Sequence, residues 1–316
     1  NVTTTTLDLS ASLNEAGKIY YVVVADGSTA PSIAQIKAGQ DSTGASALKS
    51  GNSDVTTTPF TGTYNITGLT ANTAYDIYVV GQDDEGTPNI MASATKVDVT
   101  MAGLPPVFSS TSTTDFAENA TGTVYDAELS SSTGTVTYTL SGTDSGKFDI
   151  NSTTGILTFK SAPDYETPTD NGTNNVYNVI IRATDNNGYT EQNVAINVTA
   201  VNEAPVITSS ATVAIDENIG AGQVVYTVTS TDVDASATVT YSLSGTDASL
   251  FTIDSTSGEV TLIANPNFEN KSSYSFNVIA TDNGTLTDTQ AVTLSINDVN
   301  EAPVITSSAT VAIDEN

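Results

Sequence analysis

Sixteen residues, EAPVITSSATVAIDEN, occur twice without a single change, at 203–218 and at 301–316. Verbatim recurrence at a spacing of 98 residues means that the chain is assembled from units of that size, each the size of one small β-domain. The second occurrence stops where a further unit would be starting, so the chain reads as an excerpt of a tandem array. Its 316 residues divide accordingly into 1–102, 103–202, 203–300 and a truncated start, 301–316.

Hydrophobic residues make up 38% and charged residues only 14%, with abundant Thr, Ser, Asn and Val, which is the composition of strands rather than of helices or disordered chain. Asp and Glu number 36 against 8 Lys and Arg, a formal charge of −28. That field repels nucleic acid and anionic lipid headgroups, and its natural counterpart is a cation. Cys and His are both absent, which removes disulfides, thiolates and imidazole from the available chemistry. There is no Gly-x-Ser-x-Gly nucleophile motif and no Gly-rich phosphate loop, so no enzymatic activity is expected. No apolar run approaches the roughly 18 residues that crossing a bilayer takes, so no membrane insertion is expected within this segment.

Residues 1–102 do not share the repeat. Leu7-Asp8-Leu9 and Ile19 to Val24 read as strands, Ser32 to Lys37 as one helical turn, and Gly39 to Asp54 as a polar loop. Asp83-Asp84-Glu85-Gly86 lacks the alternating acidic spacing of a calcium loop and reads as a solvated turn. Farther on, Val136/Tyr138/Leu140, Tyr177/Val179/Ile181 and Val194/Ile196/Val198 alternate with period two. So do Val239/Tyr241/Leu243, Tyr274/Phe276/Val278 and Val292/Leu294/Ile296. Short alternating segments separated by Gly, Asn and Asp turns predict an all-β chain of tandem Ig-like, Greek-key sandwiches. The segments from Leu140 to Asp144 and from Leu243 to Asp247, each followed by a Phe, read as structural turns. Pro168 to Asn175, an insertion in the first repeat, reads as a protruding loop and a place where a binding face could sit.

Two resemblances emerge from the motifs. Leu69-Thr70-Ala71-Asn72-Thr73-Ala74-Tyr75 resembles the Leu-x-Pro-x-Thr-x-Tyr signature of fibronectin type III domains, with Ala71 in the proline position and Tyr75 as the corner tyrosine. Ala117-Glu118-Asn119, Asp164-Tyr165-Glu166, Ala183-Thr184-Asp185 and Val201-Asn202-Glu203-Ala204-Pro205 stand in the order of cadherin repeats. Asp216-Glu217-Asn218, Asp232-Val233-Asp234, Ala280-Thr281-Asp282 and Asp298-Val299-Asn300-Glu301 repeat that order. The combination resembles large bacterial surface adhesins, in which one fibronectin III-like domain precedes cadherin-like repeats.

The cadherin resemblance implies Ca²⁺ at the linker 202–205. Glu118, Asp164 and Glu166 would come from the domain below, Asn202 and Glu203 from the linker with the carbonyls of Val201 and Ala204, and Asp232, Asp234 and Asp282 from the domain above. Seven carboxylates would then meet, without a Lys or Arg in these motifs. A like-charged pair about 5 Å apart costs roughly 1 to 3 kcal/mol, so the joint would splay unless cations intervened. Hard oxygen donors in a flexible cage favour Ca²⁺ over zinc, copper or Mg²⁺.

Glu217, Glu269, Asn300 and Glu301 make half of a second site. The joint between the first two domains is expected to be calcium-free: Leu129 and Ser131 stand where Asp232 and Asp234 do, the linker is Gly103-Leu104-Pro105-Pro106, and Asp185 is left without partners. These readings converge on a secreted or cell-surface segment, monomeric in isolation, that serves as a calcium-stiffened stalk. The alternative is a module binding surface polysaccharide or another surface protein, accessory to a secreted polysaccharide-acting enzyme.

Overall fold

The computed structural model describes residues 1–307; the remainder of the expected truncated start, 308–316, lies outside the described residues. The chain forms two compact units, residues 1–164 with 168–199, and residues 165–167 with 200 onward.

The first unit opens with β1 (Thr6–Ser12), β2 (Gly17–Ala25), α1 (Ile33–Ala38), β3 (Lys49–Val55), β4 (Thr61–Thr67), β5 (Ala74–Asp83) and β6 (Thr95–Thr100). Two antiparallel sheets, β1-β4 and β3-β2-β5-β6, share a core that includes Leu7, Ile19, Tyr21, Tyr64, Ile66 and Ile77. β2 is apolar on both faces rather than alternating, because Val22 and Val24 pack on the other side against Ile36 of α1, with Tyr78 and Val80 of β5. The helix is one short piece, closed by a capping box between Ser32 and Gln35 and by Gly39 in the left-handed conformation at φ 71°. Tyr75 turns back at the start of β5, and its hydroxyl accepts the Thr70 N–H at 3.0 Å.

Gly39 to Asp54 is not wholly a loop. Its second half is β3, an edge strand on β2 in which only Val55 is buried. The half-buried positions of this edge strand are Lys49, Gly51 and Ser53, which carry no apolar alternation, so its sequence reads as polar coil.

The rest of this unit comprises β7 (Val107–Phe108), β8 (Thr113–Ala117), β9 (Thr123–Asp126), β10 (Leu129–Ser131), β11 (Thr137–Ser141), β12 (Phe148–Ile150), β13 (Ile156–Phe159), β14 (Val176–Asp185) and β15 (Gly188–Thr199). They form the sheets β11-β14-β15-β8 and β12-β13-β9 and the pair β10-β7. The second unit repeats the plan with β16 (Val206–Ile207), β17 (Thr212–Asp216), β18 (Val224–Thr227), β19 (Ser230–Thr231), β20 (Thr240–Ser244), β21 (Phe251–Ile253), β22 (Glu259–Leu262), β23 (Ser273–Thr281) and β24 (Thr287–Asn297). Its sheets are β17-β24-β23-β20 and β18-β22-β21, with the pair β16-β19. The alternating triplets line both cores, with Val179, Ile181, Val194 and Ile196 in one and Phe276, Val278, Val292 and Leu294 in the other. In each repeat one strand pair is parallel, β8 on β15 and β17 on β24.

The paired Ser-Gly-Thr-Asp segments end in carboxylates that the structure buries. Asp144 accepts the Asn178 and Asn171 N–H groups, both at 2.7 Å. Asp247 accepts the Ser275 N–H at 2.8 Å and the Lys271 ammonium at 2.8 Å. The insertion in the first repeat thus delivers a backbone donor where the second repeat uses a lysine. Residues 168–175 are not a loose protrusion: Asp170 is buried and binds the amides of Asn174 and Asn175, and the Thr169 amide donates to the Tyr177 hydroxyl.

Lys271, then the Ser275 amide, hold the Asp247 carboxyl below its ordinary value. A depressed folded pKa contributes stability above the unfolded value near 3.8, lost as pH falls through the folded value. Asp247→Asn is expected to lower the stability of the second unit by about 1–3 kcal/mol at neutral pH. It should also flatten the acid limb of the unfolding free energy below pH of about 4, measured by urea titration across pH.

Candidate metal centre

The expected ligands in the second unit sit on three segments around β16. Asn202 and Glu203 lie on the chain leading into β16, Asp232 and Asp234 on the loop after β19, and Asp282 just beyond β23. Backbone and side chains tie the three together. The Glu203 N–H donates to Asp234 at 2.9 Å, the Asp234 N–H to Asp232 at 3.0 Å, and the Asn202 amide to Asp282 at 2.8 Å. Asp282 is buried, and its second oxygen accepts the Leu286 N–H at 2.8 Å. Gly284 is glycine because a Cβ there would run into the Asn202 carboxamide.

One oxygen in this cluster, Oδ2 of Asp232, is buried and has no hydrogen-bond partner. A carboxylate oxygen withdrawn from water without a donor is costly unless a cation faces it. The donor set is all oxygen, and the fit to a hard divalent cation is good. Glu166 also belongs to the second unit, and its carboxylate and that of Glu203 bring oxygens within 4.8 Å of each other. Val201 and Ala204 are exposed. Glu118 and Asp164 belong to the first unit. Glu118 is buried, its N–H donating to Thr199 O at 3.1 Å, while Asp164 is exposed.

At the other end of the second unit, Glu217, Glu269 and Glu301 bring carboxylate oxygens within 4.8 Å of one another. Glu217 is buried and accepts the Val299 N–H at 2.9 Å and the Phe268 N–H at 2.8 Å, which hold its carboxyl below the ordinary value. Asn300 is exposed and stands outside this group.

The description "Cadherin domain" matches residues 114–200 and 211–297, more than half of the chain. The chain belongs to the cadherin family. It is 31% identical over 178 residues to human protocadherin Fat 1, covering 52% of this chain and 4% of that protein. It is 32% identical over 243 residues to mouse protocadherin Fat 2, covering 71% of this chain and 5% of that protein. The chain thus spans only a small fraction of the curated relatives it matches. Among solved structures it is similar to Drosophila N-cadherin EC1-4, with a TM-score of 0.46 and 23% identity over 74% of this chain and 61% of that one.

Between the two cadherin repeats the strand pairings correct one correspondence. Ser131 pairs with Val107 as Thr231 pairs with Val206, so Asp232 and Asp234 correspond to Ser132 and Gly134, not to Leu129 and Ser131. A bulge between Leu129 and Ser131 shifts the alignment, and no sequence pattern marks it. Nor is Asp185 left without partners. It accepts the Thr133 N–H at 2.8 Å and the Asn187 N–H at 2.7 Å, so backbone donors take both of its oxygens.

Sequence reasoning missed one acidic group. Asp26 after β2, Asp76 near the start of β5 and Asp98 opposite it in β6 bring oxygens within 4.8 Å of one another, and Asp76 is fully buried. Lys96 supplies the cation from within, 2.7 Å from Asp98 and 3.0 Å from Asp76. Asp98 first, then Asp76, raise the Lys96 ammonium well above its ordinary value. The one available signal was an Asp inside the apolar run Tyr75-Asp76-Ile77. The expected turn at Asp83 to Gly86 forms no such group among the described residues.

Asp282→Ala removes the acceptor for both Asn202 and Leu286 and leaves the Leu286 amide unsatisfied. It is expected to cost the second unit about 1–3 kcal/mol in EGTA, read as a lowered midpoint of thermal unfolding, while the first unit's transition stays in place.

Proposed function

We propose that this chain is a non-enzymatic segment of a calcium-stiffened stalk in a large extracellular adhesion protein. The observation that carries the proposal is the buried, partnerless Oδ2 of Asp232, held in a cluster of oxygen donors with Asp234, Asp282, Asn202 and Glu203. Calcium, when bound, supplies a divalent charge that takes about six to eight oxygen ligands.

In this reading Glu203 and Asn202 fix the linker to the loop of Asp232 and Asp234 and to Asp282, so the chain entering the second repeat is preset for ion binding. Glu166 joins them from residues 165–167. Glu118 and Asp164, together with the carbonyls of Val201 and Ala204, complete the set by analogy with the family's linkers. Sharing ions between ligands of successive repeats removes the freedom of the joint. Glu217, Glu269, Asn300 and Glu301 are the corresponding half-site toward the next repeat.

Domain limits of 1–102, 103–202 and 203–300 fit this plan. The first of them we read as fibronectin III-like, on the Tyr75 hydroxyl capping Thr70 and on sheets in which β1-β4 opposes β3-β2-β5-β6. The first cadherin repeat is proposed to meet its neighbour without calcium, since Ser132 and Gly134 stand where Asp232 and Asp234 do in the second repeat.

Titration calorimetry is expected to show calcium binding that Asp232→Ala/Asp234→Ala abolishes. Small-angle X-ray scattering of the wild type should show a longer, narrower particle in millimolar Ca²⁺ than in EGTA. Scattering that ignores calcium in a protein that binds it would sink the stiffening mechanism, and absence of binding would sink the site.

A further inference from the structure

Force applied at the two ends of each domain enters along its first strand and leaves along its last, so the pairing of those strands decides how the domain resists. In both cadherin repeats the load first meets a two-residue strand, β7 or β16, paired antiparallel with β10 or β19, and then β8 or β17, which runs parallel to the strand that carries the load out. β8 runs beside β15 from Thr113↔Ala195 to Ala117↔Thr199, and β17 beside β24 from Thr212↔Thr293 to Asp216↔Asn297. Backbone bonds extend each ladder at both ends: Ala195 N–H to Ser112 O and Glu118 N–H to Thr199 O in one, Thr293 N–H to Ala211 O and Glu217 N–H to Asn297 O in the other. Side chains add a rung to each, Asn197 to Asp115 and Asn297 to Asp216, both at 3.0 Å.

The segment just ahead of the ladder is pinned as well. Gln192 of β15 donates to Ser110 O and Thr111 O at 2.9 Å, and Gln290 of β24 donates to Ser209 O at 2.9 Å. Tyr226 adds a bond to Ser210 O at 2.7 Å.

The N-terminal sandwich is wired differently. Its first and last strands lie in separate sheets, β1 paired with β4 and β6 with β5, both antiparallel. Its two ends meet on one side, where the Ala102 N–H donates to Thr3 O at 3.1 Å. Tension between those ends opens Thr6↔Thr67 and Thr100↔Ala74 first and then works along each ladder.

We infer that the parallel ladders β8-β15 and β17-β24 of the two repeats are shear clamps, and that the N-terminal sandwich is the element that yields first under tension. In a shear-loaded ladder all bonds bear the force together, whereas a peeled ladder breaks them in succession. The clamp is built from the repeat's own strands and needs no ion.

The absence of cysteine lets handles be placed by mutation in the full chain. Single-molecule pulling in EGTA would compare Thr212→Cys/Asp298→Cys, which shears β17 against β24, with Thr212→Cys/Thr293→Cys, which pulls the two strands apart from one end. The first pair is expected to resist several-fold more force than the second. End-to-end pulling should show one weak unfolding event followed by two strong ones, and Leu9→Ala, in the N-terminal core, should weaken the first event alone. Equal forces for the two handle pairs, or Leu9→Ala acting on a strong event, would overturn the inference. Because calcium is absent throughout, neither result depends on the calcium site.

Discussion

A carboxylate taken out of water needs donors, and this chain has few cationic side chains to offer: 36 acids face 8 Lys and Arg. The fold meets the need mainly with backbone amides. Asp144, Asp170 and Glu217 are buried and each accepts two backbone N–H groups, and Asp282 takes one with a carboxamide beside it. Asp76 and Asp247, by contrast, are paired with lysine. An amide donor belongs to a particular turn, so each such carboxylate fixes the path of a loop. This is how a chain with 14% charged residues and short strands holds its connections in place.

The two repeats show the same requirement met by different groups. At the Ser-Gly-Thr-Asp turn, Asn171 N–H of the insertion in one repeat and Lys271 in the other satisfy the same carboxylate oxygen. At the position before the last hairpin, Thr133 and Asn187 amides saturate Asp185, while Asp282 gives one oxygen to the Asn202 side chain. The difference bears on ion binding. Each Asp185 oxygen has a backbone donor, whereas the cluster at Asp232 keeps a buried oxygen without one.

The strands were legible because period-two alternation at Tyr177/Val179/Ile181 and Tyr274/Phe276/Val278 records which face is buried, and both triplets are in the cores. The acidic motifs were legible as motifs, since Glu203, Asp232, Asp234 and Asp282 are close in space although distant in sequence. What stayed hidden depends on register or on backbone donors. The bulge at Leu129–Ser131 shifted the correspondence of the two repeats, the inward face of β3 carries Lys49, Gly51 and Ser53 rather than apolar residues, and the partners of Asp185 are amides, which sequence does not display. The Asp26–Asp76–Asp98 group was hidden because its members come from a turn and two strands whose pairing, Asp76 opposite Asp98, only the fold creates.

Topology separates two kinds of rigidity in the cadherin repeats. The ladder β17-β24 ends at Asp216↔Asn297, and the next residue, Glu217, turns its side chain onto Val299 and Phe268 while its amide closes the ladder on Asn297. The last rung and Glu217, one member of the carboxylate cluster with Glu269 and Glu301, are therefore consecutive along the chain. A backbone that is held by hydrogen bonds up to the last residue before the carboxylates gives them a fixed base, and ligands on a fixed base lose less freedom when they bind.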